Sequence, residues 1–152
     1  MKPCKRFAAS ILLLCILLST FCLPSLAAAH QESITYFSDG SYMVTTIEVT
    51  ETRQTRAASG TVSGNKTRDY YNSSNQLVWS ITVYGTFSFN GSSAEATDAD
   101  YSYEVYSSDW SFVSGSASYS GATATASGRF KHGLLSTNAT VSLTCSPSGK
   151  LS

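Results

Sequence analysis

Leu77-Val-Trp-Ser-Ile-Thr-Val-Tyr-Gly-Thr-Phe-Ser-Phe-Asn-Gly91 is the stretch that decides the fold. Leu77, Trp79, Ile81, Val83, Phe87 and Phe89 fall on one side of an extended chain, with Gly85 among them. Val78, Ser80, Thr82, Tyr84, Thr86 and Ser88 fall on the other. A two-residue period with one apolar face is the signature of a strand that buries one side. Thirteen residues is long for one strand, so Gly85 is expected to mark a bend or bulge. Asn90-Gly91 then supplies a tight hairpin signal, since both residues tolerate the positive φ of a type I′ turn.

Working outward, the returning strand runs from about Ser93 to Tyr106. It places Ala99, Tyr101, Tyr103 and Val105 on one face, and Asp98, Asp100, Ser102, Glu104 and Tyr106 on the other. Trp79, Tyr101 and Tyr103 are assigned to the core. Upstream, Met43, Thr45, Ile47 and Val49 alternate with Val44, Thr46 and Glu48. Downstream, Ala139, Val141, Leu143 and Cys145 alternate with polar residues, and Trp110-Ser-Phe-Val113 opens another strand. Ala122-Thr-Ala-Thr-Ala126 has small side chains that suit a crowded or an edge position. Residues 51–66 are polar and glycine-interrupted and read as a solvated strand or loop. Asn72-Ser-Ser-Asn-Gln76 reads as a hairpin loop. No segment of helical period follows the leader. The expectation is therefore an antiparallel all-β sandwich or barrel of seven to nine strands.

The first 29 residues have a different character. Lys2, Lys5 and Arg6 precede an apolar run from Phe7 to Leu23, which Pro24 ends and Ala27-Ala-Ala29 follows. This is the order of a secretory signal peptide, with an apolar helix and cleavage after Ala29. The run is shorter than the ~20 residues of a spanning helix, so no stable membrane span is expected after cleavage. The chain thus divides into a leader, 1–29, and a single all-β domain, 30–152, destined for the cell exterior. Cys4, Cys15 and Cys22 lie in the leader, which leaves Cys145 unpaired and the domain without an internal disulfide. Tyr and Trp, nine and two in number, must supply buried area that a sparse aliphatic set does not. Ten cations balance ten acids over the whole chain, with no basic stripe of the kind a nucleic-acid partner requires.

Several of these strings resemble one another's counterparts in a known group. Lys66-Thr-Arg-Asp-Tyr-Tyr-Asn-Ser-Ser-Asn-Gln-Leu-Val-Trp79, Gly85-Thr-Phe-Ser-Phe-Asn-Gly91, Trp110 and the closing Val141-Ser-Leu-Thr-Cys-Ser-Pro-Ser-Gly-Lys-Leu-Ser152 are the residues concerned. Together they resemble an uncharacterised family of short secreted all-β proteins from Gram-positive bacteria. The likeness spans about Arg56 to Ser152. It implies a bacterial, extracellular setting and brings no catalytic residue, cofactor or metal ligand with it.

Candidate chemistry is sparse. His30 and His132 are the histidines beyond the leader, and no Gly-x-Ser-x-Gly elbow holds a serine for a relay. His30 is expected to be a mobile new terminus and His132 to lie in a loop. Cys145 continues an apolar strand face and reads as a small buried hydrophobe, with an intermolecular disulfide as the alternative. Asp98, Asp100 and Glu104 share a face that could serve a small hydrolase or Ca²⁺, but a solvated acidic face is the plainer reading. No catalytic residue, metal site or cofactor is assigned. Asn65, Asn72, Asn90 and Asn138 fit the glycosylation pattern and read as turn chemistry. Tyr84, Tyr106 and Trp110 are the ligand-binding candidates, because aromatic rings beside hydroxyls and carboxylates suit sugar stacking. The function expected is a secreted, non-catalytic binding protein for a cell-wall or environmental glycan. The alternative is a protein-directed factor, an inhibitor or surface-assembly component, that pairs through a sheet edge with an extracellular protein.

Overall fold

The computed structural model describes residues 30–56 and 59–152. The signal-peptide helix and the cleavage point after Ala29 lie outside the described residues. Eight strands follow in order: β1 (His30–Tyr36), β2 (Tyr42–Arg56), β3 (Ser59–Tyr71), β4 (Leu77–Phe89), β5 (Ala94–Val105), β6 (Trp110–Ser120), β7 (Thr123–His132) and β8 (Leu135–Thr144). They form two antiparallel meanders, a five-stranded sheet β1-β2-β3-β4-β5 and a three-stranded sheet β6-β7-β8. No helix occurs among the described residues. The arrangement is sandwich-like: the inner faces of the two sheets share one apolar cluster.

β4 is the keel of that cluster. Its odd-numbered residues Trp79, Ile81, Val83 and Phe87 are fully buried, as the alternation requires. The strand runs unbroken through Gly85 to Phe89, and Gly85 keeps regular register with Gly64 and Ala99. A Cβ there would lie 2.7 Å from the Phe87 ring and 3.1 Å from the Ala124 side chain, so the glycine admits the facing sheet. The irregularity sits opposite instead. Thr97 has no partner between the pairs Thr86↔Asp98 and Phe87↔Ala96, which shifts the inner face of β5 from Ala99 to Ala96. Ala124 and Ala126 are small because β7 is the middle strand of the second sheet, pressed on β4. The edge alternative is thereby excluded.

The polar stretch after Thr50 is strand throughout its described part, pairing β2 with β3 in one long hairpin with a register shift between Val49 and Glu51. β3 is the last strand of this sheet to contact the second sheet, through β8, and the inner residues Ile47 and Val62 are buried in the core cluster together with Leu151 of the closing segment. The turn after β4 is also shifted by one residue. Asn90 N–H donates to the Ser93 carbonyl, and Gly91 alone has positive φ, at 85°. That is the pattern of a type II′ turn with Gly91 in its first central position, not a type I′ turn. Asn90 Oδ1 accepts from the Ser92 and Ser93 amides at 2.9 and 2.8 Å. The Asn72–Gln76 loop is closed in the same manner, by Asn72 Oδ1 accepting from Ser74 and Gln76.

Candidate functional site

The five-stranded sheet has two chemically different faces, and the strand register separates them. The outer face carries Glu48 on β2, Asp69 on β3, Tyr84 on β4, and Asp98, Asp100 and Glu104 on β5. The inner face carries Val62, Gly64, Lys66, Arg68 and Tyr70 on β3, beside Phe87, Gly85, Val83, Ile81 and Trp79 on β4.

Tyr84 and Tyr106 both belong to the outer side, at 43% and 52% exposed. Tyr84 lies opposite Asp100, and its hydroxyl is 3.2 Å from Ser102 Oγ. Tyr106 follows β5, and its amide donates to the Val78 carbonyl at 2.9 Å. Tyr106 is therefore level with a point about six residues along β4 from Tyr84, roughly 20 Å away. Its hydroxyl donates to the Glu104 carboxylate, and that bond chiefly raises its pKa above the usual phenol range. Trp110 is elsewhere. It projects from β6 toward the core, stacked on His132 at 5.2 Å and tilted against Tyr70 and Trp79 at 5.8 and 6.5 Å. The three aromatic candidates thus share no platform.

Other aromatic positions depart from expectation too. Tyr103 points inward but stays 44% exposed, with its ring stacked on Phe112 at 3.5 Å. It lies on the edge strand β5, where the second sheet covers it only partly. His132 ends β7 rather than lying in a loop, and His30 begins β1, paired with Glu48 in the backbone register. Tyr36, Tyr42 and Tyr71 form a ladder on the outer face across β1, β2 and β3. Tyr42 and Tyr71 are stacked at 4.8 Å and 3°, and Tyr36 is tilted on Tyr42 at 5.6 Å. Tyr36, at the end of the ladder, remains 72% exposed.

The acidic residues are spread along the sheet. Asp98, Asp100 and Glu104 oppose Thr86, Tyr84 and Ser80, none of them a carboxylate. Asp69, which the sequence did not single out, flanks Ser80 from the other side. Burial, then the nearby Glu104, raises its carboxyl above the usual aspartate range. Asp69 and Glu104 are two strand spacings apart, about 10 Å between backbones, on a sheet face rather than in a cleft. No group of three or more metal-ligating side chains occurs among the described residues. Cys145 is 2% exposed, and burial pushes its thiol pKa up.

A groove of about 490 Å³ opens on the inner face, between β8 and the inner residues of β1, β2 and β3. Ser33 and Thr35 from β1, Thr45 and Ile47 from β2, Lys66 and Arg68 from β3, Ser142 and Thr144 from β8, and Ser152 line it. Thr144 exchanges backbone hydrogen bonds with Ser152 at 2.9 Å, which closes the rim. The sequence signal for this groove was present. Lys66 and Arg68 are in phase with Val62 and Gly64, so strict alternation turns both cations inward. No family model matches the chain, and no curated protein or solved structure is significantly similar to it.

Proposed function

We propose that this chain is an exported, non-catalytic binding protein that takes a glycan on the uncovered inner shelf of its five-stranded sheet. One observation carries the reading. Ser33 and Thr35 of β1 and Thr45 of β2 line the groove with hydroxyls, beside the cations Lys66 and Arg68 of β3 and the apolar side chain of Ile47. A groove that sets hydroxyls and two cations beside an apolar wall suits a hydrogen-bonding ligand such as a glycan. The opposite arrangement, a stacking site of Tyr84, Tyr106 and Trp110, has less support because those rings lie far apart and Trp110 packs inward.

The test is retention of the purified protein, expressed as the full chain, on insoluble peptidoglycan and polysaccharides. Thr45→Trp, which fills the groove, should abolish retention. Tyr84→Ala combined with Tyr106→Ala should leave it intact. Loss with the tyrosine pair alone would move the ligand to the outer face, and no retention at all would sink the glycan reading.

A second reading, pairing with an extended segment of another protein along β1, has its own support. β8 has its edge occupied at Thr144 by Ser152 and at the Thr140 carbonyl by Arg68, while β5 carries three acidic residues and a bulge. β1 has neither proline, lysine nor bulge, and its described side chains are exposed. Sedimentation should then show concentration-dependent assembly that Ile34→Lys abolishes; a monomer at all concentrations would exclude self-pairing.

A further inference from the structure

We propose that Lys66 and Arg68 form an oxyanion site in this groove, so that the ligand is an anionic polysaccharide. This deepens the shelf reading and rests on it. Four observations converge. The first is position: Lys66 lies between Ile47 and Val83, and Arg68 between Thr45 and Ile81, on a sheet face where apolar residues are the rule. Two half-buried cations at i and i+2 stand roughly 7 Å apart on the same face.

The second is the lack of a counter-charge. Among the described residues neither cation is in an ion pair, and the groove lining includes no acidic side chain; the carboxylate of Ser152, at the rim, has its oxygen engaged by the Thr144 amide. The sheet itself explains this, because Glu48, Asp69, Asp100 and Glu104 all project from its other face. The third is preorganisation. One Arg68 Nη donates to the Thr140 carbonyl of β8, which holds the guanidinium at the groove wall with its remaining donors free for a planar oxyanion. The fourth is electrostatic. Burial, with Arg68 adding to it, lowers the Lys66 ammonium below the usual lysine range. An oxyanion bound between the two cations offsets their mutual repulsion and favours the charged ammonium. The groove volume, about 490 Å³, suits a short run of sugar residues entering from solvent.

Affinity electrophoresis of the full-chain product tests the site. Polygalacturonate carries carboxylates, heparin carries sulfates, and dextran is the neutral comparator. Retardation is expected with one or both polyanions and not with dextran. Lys66→Gln and Arg68→Gln should each weaken it about ten-fold. Lys131→Gln makes the same charge change on the far face of the second sheet and should leave it unchanged. Urea midpoints of the variants exclude unfolding, and Arg68→Lys, which retains charge, should recover part of the loss. Inorganic phosphate should compete only at much higher anion concentration, as a polymer site requires.

Equal retardation by dextran, or a loss shared by Lys131→Gln, overturns the oxyanion site while leaving a shelf that binds glycan. Phosphate competing on equal terms overturns the polymer. No retardation by any polyanion overturns the inference, and retention on neutral insoluble glycans then decides separately whether the shelf binds sugar.

Discussion

Trp79→Phe should leave the fold within about 1 kcal/mol of its present stability, whereas Trp79→Ala should cost about 3–5 kcal/mol. The asymmetry follows from the indole nitrogen. Trp79 is 0% exposed, stacked on Phe130 at 4.3 Å and on Tyr70 at 5.1 Å. Its Nε1–H has no hydrogen-bond partner. A buried, unpaired donor costs about 1–3 kcal/mol of lost hydration, and phenylalanine removes that penalty. Against this, losing the second indole ring opens on the order of 35 Å³, or about 0.8 kcal/mol at 24 cal/mol per Å³. It also forfeits roughly 30 Å² of apolar burial, about another 0.8 kcal/mol. The two sides nearly cancel. Alanine gives up both stacked neighbours, so no such offset applies. Urea unfolding followed by far-ultraviolet circular dichroism reads the difference. With a slope of about 2 kcal/mol per molar, Trp79→Ala lowers the midpoint by roughly 1.5–2.5 M and Trp79→Phe moves it by less than about 0.5 M. A phenylalanine variant as unstable as the alanine one would refute the reasoning, because the N–H would then be making a favourable bond.

Four further outcomes are expected. Gly64→Ala should cost about 1–3 kcal/mol, since its Cβ would lie 2.5 Å from both the Glu48 carbonyl oxygen and Leu151 Cδ1. Gly121→Ala, at φ +53° in open space, should cost only about 1 kcal/mol of left-handed strain, and thermal melts that rank the two in reverse would contradict the packing. Asp69→Asn should gain on the parent as pH rises from acid to neutral. A folded pKa raised above 3.8 means that the parent's contribution is complete below that value and is lost as pH climbs through the folded one; a flat difference between melts at acid and neutral pH would be inconsistent with the burial of this carboxyl. Cys145 in the native protein should react with iodoacetamide far more slowly than in urea, because the thiol is both buried and raised in pKa. Rapid native alkylation would place it at the surface.

Much of the architecture was legible because strand period is a local property. Alternation along Leu77–Phe89 identified β4 and its buried face before any partner was known, and the Asn-rich loops betrayed their turns. The same rule applied to Lys66 and Arg68 would have turned them inward, had polarity not suggested a solvated segment. What could not be read locally depends on the second sheet. Tyr103 shares the phase of buried neighbours yet stays exposed because β5 is an edge, and Trp110 opens a strand whose inner side only the packing of the second sheet on β4 defines.

The chain by itself determined that alternating apolar residues would build antiparallel strands with aromatic weight in place of aliphatic, since those preferences reside in neighbouring side chains. Only the tertiary structure decided that three strands would cover part of a five-stranded sheet. Coverage depends on where β8 stops and on glycines such as Gly64 and Gly85 that set how closely backbones approach. That cover leaves Lys66 and Arg68 in a groove beside the buried core, between Ile47 and Thr45 of β2 and Val83 and Ile81 of β4, and no window of sequence contains all of these strands.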